Sequence, residues 1–309
     1  MNVAGDVELS IVIGSSIEGG GAVATCVASV AAACAGLRAE IIVVEPSATG
    51  SAPSSAGGDA DLQDSYTLLR APANSLTPQL WARGLAACRG PVVAFTIAQC
   101  VVERHWARAL LDAVAAGATV AGGGLELHAD TYPADWGIFF LRYSAFRSEV
   151  DSPSRGVADL PGDNSAYRRD ALDRCADALR DGLWEIDVNR RILANGGRLV
   201  RASNATIRFR GPTPFGPMMR QRFAHGRHSG ATRVAAGVRP KWQVILAAPL
   251  VPLVMASRIA RRARRADRRR LILSLPWILA FASAWSAGEA CGAVAGAGLS
   301  TAFSGARVS

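Results

Sequence analysis

The chain has 309 residues, half of them hydrophobic and 19% charged, with a net charge of +9. That length and apolar content supply a core for one large or two modest domains and exclude a disordered chain, and six cysteines are too dilute for a disulfide scaffold. The charge is local: residues 239–270 hold ten Lys and Arg against Asp267 and carry all of the +9, so residues 1–238 sum to zero. A nucleic-acid partner, which needs a basic face on the folded domain, is therefore not expected.

Taken in chain order, Glu8–Gly14 is an apolar run that reads as a buried strand, and Gly21–Gly36 is Ala- and Val-rich and long enough for a helix. Gly19-Gly20-Gly21 lacks the dinucleotide fingerprint and reads as a loop. Glu40–Glu45 is a second buried strand stopped by Pro46, and a Gly-, Ser- and Ala-rich loop follows to about residue 60. A weak strand over Tyr66–Leu69, a helix over Pro78–Cys88 and a strong strand over Pro91–Thr96 complete the first stretch. Strands alternating with helices imply an α/β fold with a mostly parallel sheet covered by helices on both faces. Ligands of such sheets bind beyond the carboxyl ends of the strands, where Glu45, Ser47 and Ile97–Cys100 fall.

Val120–Leu127 reads as a strand broken by three glycines, and Asp163–Arg169 as the lead into a helix reaching about Arg180. Glu185–Ala194 reads as a helix stopped at Asn195-Gly196-Gly197, and Arg198–Arg210 as extended chain. Gln243–Ser257 is apolar, interrupted by Pro249 and Pro252 and flanked by cations, but short of the roughly 20 residues that span a bilayer. Leu271–Phe303 is apolar apart from Glu289 and long enough to span once or to turn back. Cys26, Cys34, Cys88, Cys100, Cys175 and Cys291 form no CxxC pair and are expected to be reduced and buried in a cytosol-facing protein. The four histidines show no ligand spacing, and Met1–Ser10, with acids and no basic residue, is not expected to act as a signal peptide.

Five segments, in order and spacing, resemble the family 2 glycosyltransferases of the membrane-attached bacterial type. Ser10–Gly14 looks like the first nucleotide-binding strand, and Glu40–Glu45 like the strand that ends in an acid near the base or ribose. Trp81–Phe95 is similar to the helix and strand that precede the metal motif. Leu160–Arg169 resembles the acceptor-side loop, and Trp184–Gly196 the helix that bears the catalytic base. The resemblance implies a GT-A, Rossmann-like catalytic domain over residues 1–238. A basic, membrane-associated region over 239–309 would follow, with an interfacial or re-entrant helix at 243–257 and a transmembrane segment or hairpin at 271–303. It implies inverting transfer from a nucleotide-sugar donor to a lipid-linked or polysaccharide acceptor, at the cell membrane with the catalytic domain on the cytoplasmic side. Anionic lipids are then a further partner.

Carried over position by position, the resemblance makes Glu185 the general base and places Ile13, Gly14, Glu45, Ala98 and Gln99 at the nucleotide sugar. Gly162, Asp163, Asn164 and Trp184 fall at the acceptor. The residues themselves allow other roles: Glu185 also suits the N-terminal end of a helix, Asp163 or Asn164 a helix cap, and Trp184 a core. The family's divalent metal, Mg or Mn, is held by an acid–any–acid motif that falls here on Ile97-Ala98-Gln99, which contains no acid. Arg220, Arg222 and Arg227 are candidates to hold the leaving diphosphate instead, or to dock the domain on anionic lipid. The missing acids also leave open a degenerate transferase fold that binds nucleotide sugar, or a partner, without chemistry.

Overall fold

The computed structural model describes residues 7–16, 20–47, 65–148 and 153–297. The expected loop before residue 60, together with Gly19 and the last residues of the 271–303 segment, lies outside them. Among the described residues, eleven strands run in the order β1 (Leu9–Gly14), β2 (Ala39–Pro46), β3 (Thr67–Ala71), β4 (Val92–Ile97), β5 (Cys100–Val102), β6 (Val120–Gly122), β7 (Leu125–Leu127), β8 (Arg155–Gly156), β9 (Ser165–Arg168), β10 (Leu199–Arg201) and β11 (Ile207–Phe209). Interleaved with them are helices α1 (Gly20–Ala33), α2 (Thr77–Leu85), α3 (Trp106–Ala115), α4 (Pro133–Tyr143), α5 (Arg169–Asp173) and α6 (Glu185–Ala194). Helices α7 (Phe215–Ala235), α8 (Lys241–Ala247), α9 (Val251–Arg262) and α10 (Arg268–Ala295) follow. The chain divides into two compact units: residues 1–128 with 146–210, and residues 129–145 with 211–309. The sequence places a division at 238, which falls inside the second unit.

Unit one is an eight-stranded sheet in the order β3-β2-β1-β4-β9-β6-β10-β8. Strands β3, β2, β1 and β4 are parallel neighbours, and β9 runs antiparallel between β4 and β6. Every residue of β1 and β4 is buried, so helices and loops cover both faces, as continuous apolar runs without alternation require. A second sheet, β5-β11-β7, is laid out separately. The three glycines at 122–124 do more than interrupt a strand: they let the chain leave the first sheet and enter the second. A Cβ on Gly123 would sit 1.6 Å from the Ala205 carbonyl oxygen, so only glycine allows the crossing. Ser165–Arg168, expected to lead into a helix, is the antiparallel strand β9, and the helix that follows is only Arg169–Asp173. Gly20, expected in a loop, opens α1.

Helix α2 starts where the sequence provides a proline in its first turn and a glutamine whose Oε1 accepts the Leu76 N–H at 2.9 Å. Helix α6 ends at Asn195, followed by Gly196 at φ 77°, as expected. The six cysteines are free; five are buried and Cys291 is half-buried. Burial pushes the Cys26 thiol up to about 12, consistent with an inert packing role.

Unit two is helical, built around α10. Helix α7 packs along the C-terminal half of α10 through glycines on both sides. A Cβ on Gly226 or Gly230 would fall within 2.0 Å of the carbonyl oxygens of Trp285 and Glu289. A Cβ on Gly288 or Gly292 would fall equally close to those of Phe223 and Arg227. The contacts advance together along both helices, so α7 and α10 run parallel with their backbones touching. Arg227 Nε donates to the Gly296 carbonyl at 3.0 Å, Arg233 pairs with Glu289, and Phe215 packs on Phe281. Helix α4 packs on the N-terminal half of α10: a Cβ on Gly137 would meet Trp277 Cβ at 2.7 Å, and Arg270 lies over the Trp136 ring. Helices α8 and α9 meet at a bend of 67°, and the Ser286 hydroxyl donates to the Ala248 carbonyl beside it. Residues 265–295 form a helix long and apolar enough to cross a membrane.

Candidate active site

The carboxyl ends of β1, β2 and β4 form the edge on which the site is built. Parallel register puts Gly14 level with Val44 on one side and Ile97 on the other, and two bonds extend it: Ser15 N–H to Val44 O at 3.0 Å and Ala98 N–H to Gly14 O at 3.1 Å. Gly14, Ala98, Gln99 and Glu45 therefore converge on that edge. Ile13 does not line it, because its side chain is fully buried in the sheet core. Ala98 and Gln99 are buried in the turn between β4 and β5, and the Gln99 carbonyl accepts the Arg210 N–H at 2.8 Å. The Glu45 carboxylate is bound by Arg70 from β3 at 2.9 Å.

Trp81 sits under this edge. Its indole N–H donates to the Thr96 carbonyl at 2.9 Å, and its ring packs on Phe95, which in turn packs edge-on against Tyr167. Above the indole passes the short 3₁₀ turn Gly162–Asn164. A Cβ on Gly162 would lie 2.9 Å from the Trp81 ring and 3.1 Å from Glu185 Cβ. Gly162 is thus the spacer that lets Glu185, the first residue of α6, close onto the sheet edge.

The orientation of α6 is set one turn further on. Asn189, on the same face as Glu185 at i+4, is buried and accepts the Tyr167 hydroxyl at 3.0 Å. Its amide nitrogen donates to Asp159 Oδ1 at 3.2 Å and to the Leu160 carbonyl at 3.3 Å. Burial, and then the carboxylates of Glu185 and Asp159, push the Tyr167 phenol well above its ordinary value, so it stays a neutral donor. Asp187 points away: it is exposed, 3.8 Å from Arg190. Tyr167, Asn189 and Trp81 as supports of the site are missed by motif reading, although the Glu185–Asn189 spacing carries a signal for one of them.

The four expected acceptor residues separate into two kinds. Gly162 and Trp184 flank Glu185, and Trp184 is half-buried with its indole N–H toward the Asp181 carbonyl at 3.3 Å. Asp163 is buried in the turn. Asn164 is fully buried: its Oδ1 accepts the Trp106 indole N–H at 2.7 Å, and its nitrogen donates to the Gly124 and Ala205 carbonyls at 3.0 and 2.8 Å. It ties the first sheet to the second instead of facing a ligand.

The residues present do not fit a carboxylate-held divalent ion. Ile97 and Ala98 offer no ligand atom and Gln99 only an amide, and among the described residues no three His, Cys, Asp or Glu side chains come together. The three arginines expected at phosphate all belong to unit two. Arg227 is committed to the end of α10, and Arg222 is half-buried with its Nε enclosed and without a bond. Burial and neighbouring Arg142 lower the Arg222 guanidinium. Arg220 is exposed.

An open α/β sheet of this kind places its ligand site beyond the carboxyl ends of its strands. A family model, glycosyl transferase family 2, matches residues 10–175, more than half of the chain. The chain belongs to that family and is a glycosyltransferase. Among solved structures it is similar to the mannosyltransferase PcManGT from Pyrobaculum calidifontis, in complex with GDP-Man and Mn²⁺. That likeness has 13% identity, covers 94% of this chain and 74% of the other, and has a TM-score of 0.47. It is also similar to GalNAc-T7 with UDP, GalNAc and Mn²⁺, at 16% identity over 67% of this chain and 45% of the other, with a TM-score of 0.49. No curated protein sequence matches the chain.

Proposed function

We propose that the chain transfers a sugar from a nucleotide-sugar donor to a hydroxyl of a lipid-linked or polysaccharide acceptor, with inversion, at the cytoplasmic side of the cell membrane. The observation that carries the reading is the placement of Glu185 across Gly162 from Trp81, at the edge formed by β1 and β4. An acceptor hydroxyl is a poor nucleophile at neutral pH. Glu185 takes its proton as the oxygen attacks the anomeric carbon, and the nucleoside diphosphate leaves from the opposite face with the bonding pair of the broken C–O bond. Attack and departure on opposite faces invert the anomeric centre. Gly14, Glu45, Ala98 and Gln99 border the donor, and Asp163 and Trp184 the acceptor. Asn164 and Ile13 are part of the scaffold.

With no carboxylate pair at Ile97–Gln99, the charge of the departing diphosphate is balanced by groups other than a carboxylate-held metal. The cytoplasmic side is supported by the Arg258–Arg270 run, whose cations suit the anionic inner leaflet. The test is to incubate the purified full chain with a panel of nucleotide sugars and a lipid extract as acceptor, and to read the anomeric configuration of the product by NMR. The proposal expects the inverted linkage in a lipid-extractable product. A retained configuration would overturn the mechanism.

A further inference from the structure

Membrane attachment leaves open how the chain meets the bilayer. Helix α10 has 28 residues, about 42 Å, which is enough to cross. Its neighbours decide otherwise. The C-terminal half of α10 is in backbone contact with α7, whose 21 residues carry Arg220, Arg222, His225, Arg227, His228 and Arg233. Carrying that half of α10 through hydrocarbon would carry α7 and its guanidinium groups with it, and the Arg233–Glu289 pair as well. Backbone contact through Gly226, Gly230, Gly288 and Gly292 holds the two helices side by side.

Most of the exposed large apolar residues of unit two lie on α8, α9 and the start of α10. Trp242, Leu246, Leu250 and Leu253 on and between α8 and α9, and Ile272 at the start of α10, are each more than half exposed. Val244, Pro252 and Ile259 face inward, so each of these two helices has one dry and one unpartnered side. Cations stand at both ends of the exposed stretch: Arg239 and Lys241 before it, and the run from Arg258 to Arg270 after it. A helix pair with an apolar outer side, an indole near one end and cations at both ends has the composition of a segment lying in the headgroup–acyl boundary. The cations name the partner, since anionic headgroups complement them.

We propose that unit two lies along one leaflet of an anionic membrane, seated on the outer sides of α8 and α9 and the start of α10. Helix α10 then lies within the assembly without crossing, and both of its ends stay on the same side. This rests on the membrane attachment proposed above. The test uses the full chain carrying Cys291→Ser, with either Ala266→Cys or Ala297→Cys. Membrane vesicles of known orientation are treated with a bilayer-impermeant maleimide. Both sites are expected to label from the cytoplasmic face. Labelling of position 297 only from the opposite face would overturn the inference while leaving membrane attachment intact. In a parallel assay the chain is expected to sediment with phosphatidylglycerol vesicles. A Leu246→Glu, Leu250→Glu variant, altered only at exposed positions, should lose most of that binding while keeping its circular dichroism. Failure of the unaltered chain to sediment would overturn both the inference and the attachment. Unchanged binding of the double variant would overturn the seating on α8 and α9.

Discussion

The Cβ that Gly162 lacks would stand 3.1 Å from the Cβ of Glu185, with the Trp81 ring 2.9 Å away on the other side. The carboxylate proposed as base thus owes its position to a residue with no side chain. Its approach to the sheet edge depends on a gap that one methyl group would fill.

Gly162→Ala tests that dependence. The added methyl must displace Trp81 or move α6 outward, costing about 1–3 kcal/mol as other overpacked sites do. Transfer activity should fall further than stability does, because Glu185 moves with the helix. Activity at the unaltered level, with a normal melting temperature, would show that the gap does not position the base.

Asn164→Leu is expected to destabilise unit one without bearing on acceptor binding. The Trp106 indole N–H and two buried carbonyls lose their partners together, at about 1–3 kcal/mol for each group left unsatisfied. Denaturant unfolding measures the loss. A variant of normal stability with a raised KM for acceptor would return Asn164 to the binding site.

Much of unit one is legible in the sequence, and the reason is its cores. Val12, Ile42 and Val93 belong to continuous apolar runs stopped by Gly or Pro, which have few interpretations besides a buried parallel strand. Glu185 is readable from the helix it opens and the Asn-Gly-Gly that ends it. Strand β9 is not readable, because Ser165–Arg168 carries no strand pattern of its own. Its conformation comes from pairing with β4 on one side and β6 on the other. Helix α7 is hidden for a different reason: it packs by glycine backbone contact, so it lacks the apolar stripe by which a buried helix is recognised. Asn189 and Tyr167 support the site through hydrogen bonds across 22 residues of chain, a relation that no local motif records.

The glycine contact between α7 and α10 predicts opposite outcomes for the same substitution. Gly226→Ala and Gly292→Ala place a methyl 1.9 Å from a carbonyl oxygen of the facing helix and should each destabilise unit two by about 1–3 kcal/mol or more. Gly216→Ala in α7 meets only Arg220 Nη1 at 3.7 Å and should be neutral or stabilising by up to about 1 kcal/mol, through helix propensity. Thermal unfolding of the three variants in parallel reads the contrast.

His225 makes unit two sensitive to acid. Burial, then Arg222, Arg142 and His228, hold its imidazole well below the ordinary histidine value. Above about pH 6.5 it is neutral in both the folded and unfolded states and exerts no pH effect. As the pH falls below that value, the unfolded chain takes up a proton that the folded chain refuses, so stability is lost at up to about 1.4 kcal/mol per pH unit. His225→Gln should flatten this slope in denaturant titrations run from neutral to mildly acidic pH. An unchanged slope would assign the acid sensitivity to other groups.

Glu185 is proposed to take the proton at a site whose charge is balanced without a carboxylate-held metal. The measurement that tests it most directly is sugar transfer by the purified full chain against Glu185→Gln, each with and without EDTA. Activity of the unaltered chain should be essentially unchanged by EDTA, and the variant, which keeps the side chain's shape but cannot accept the proton, should lose about 100-fold or more. Activity that vanishes with EDTA, or that survives Glu185→Gln, would contradict it.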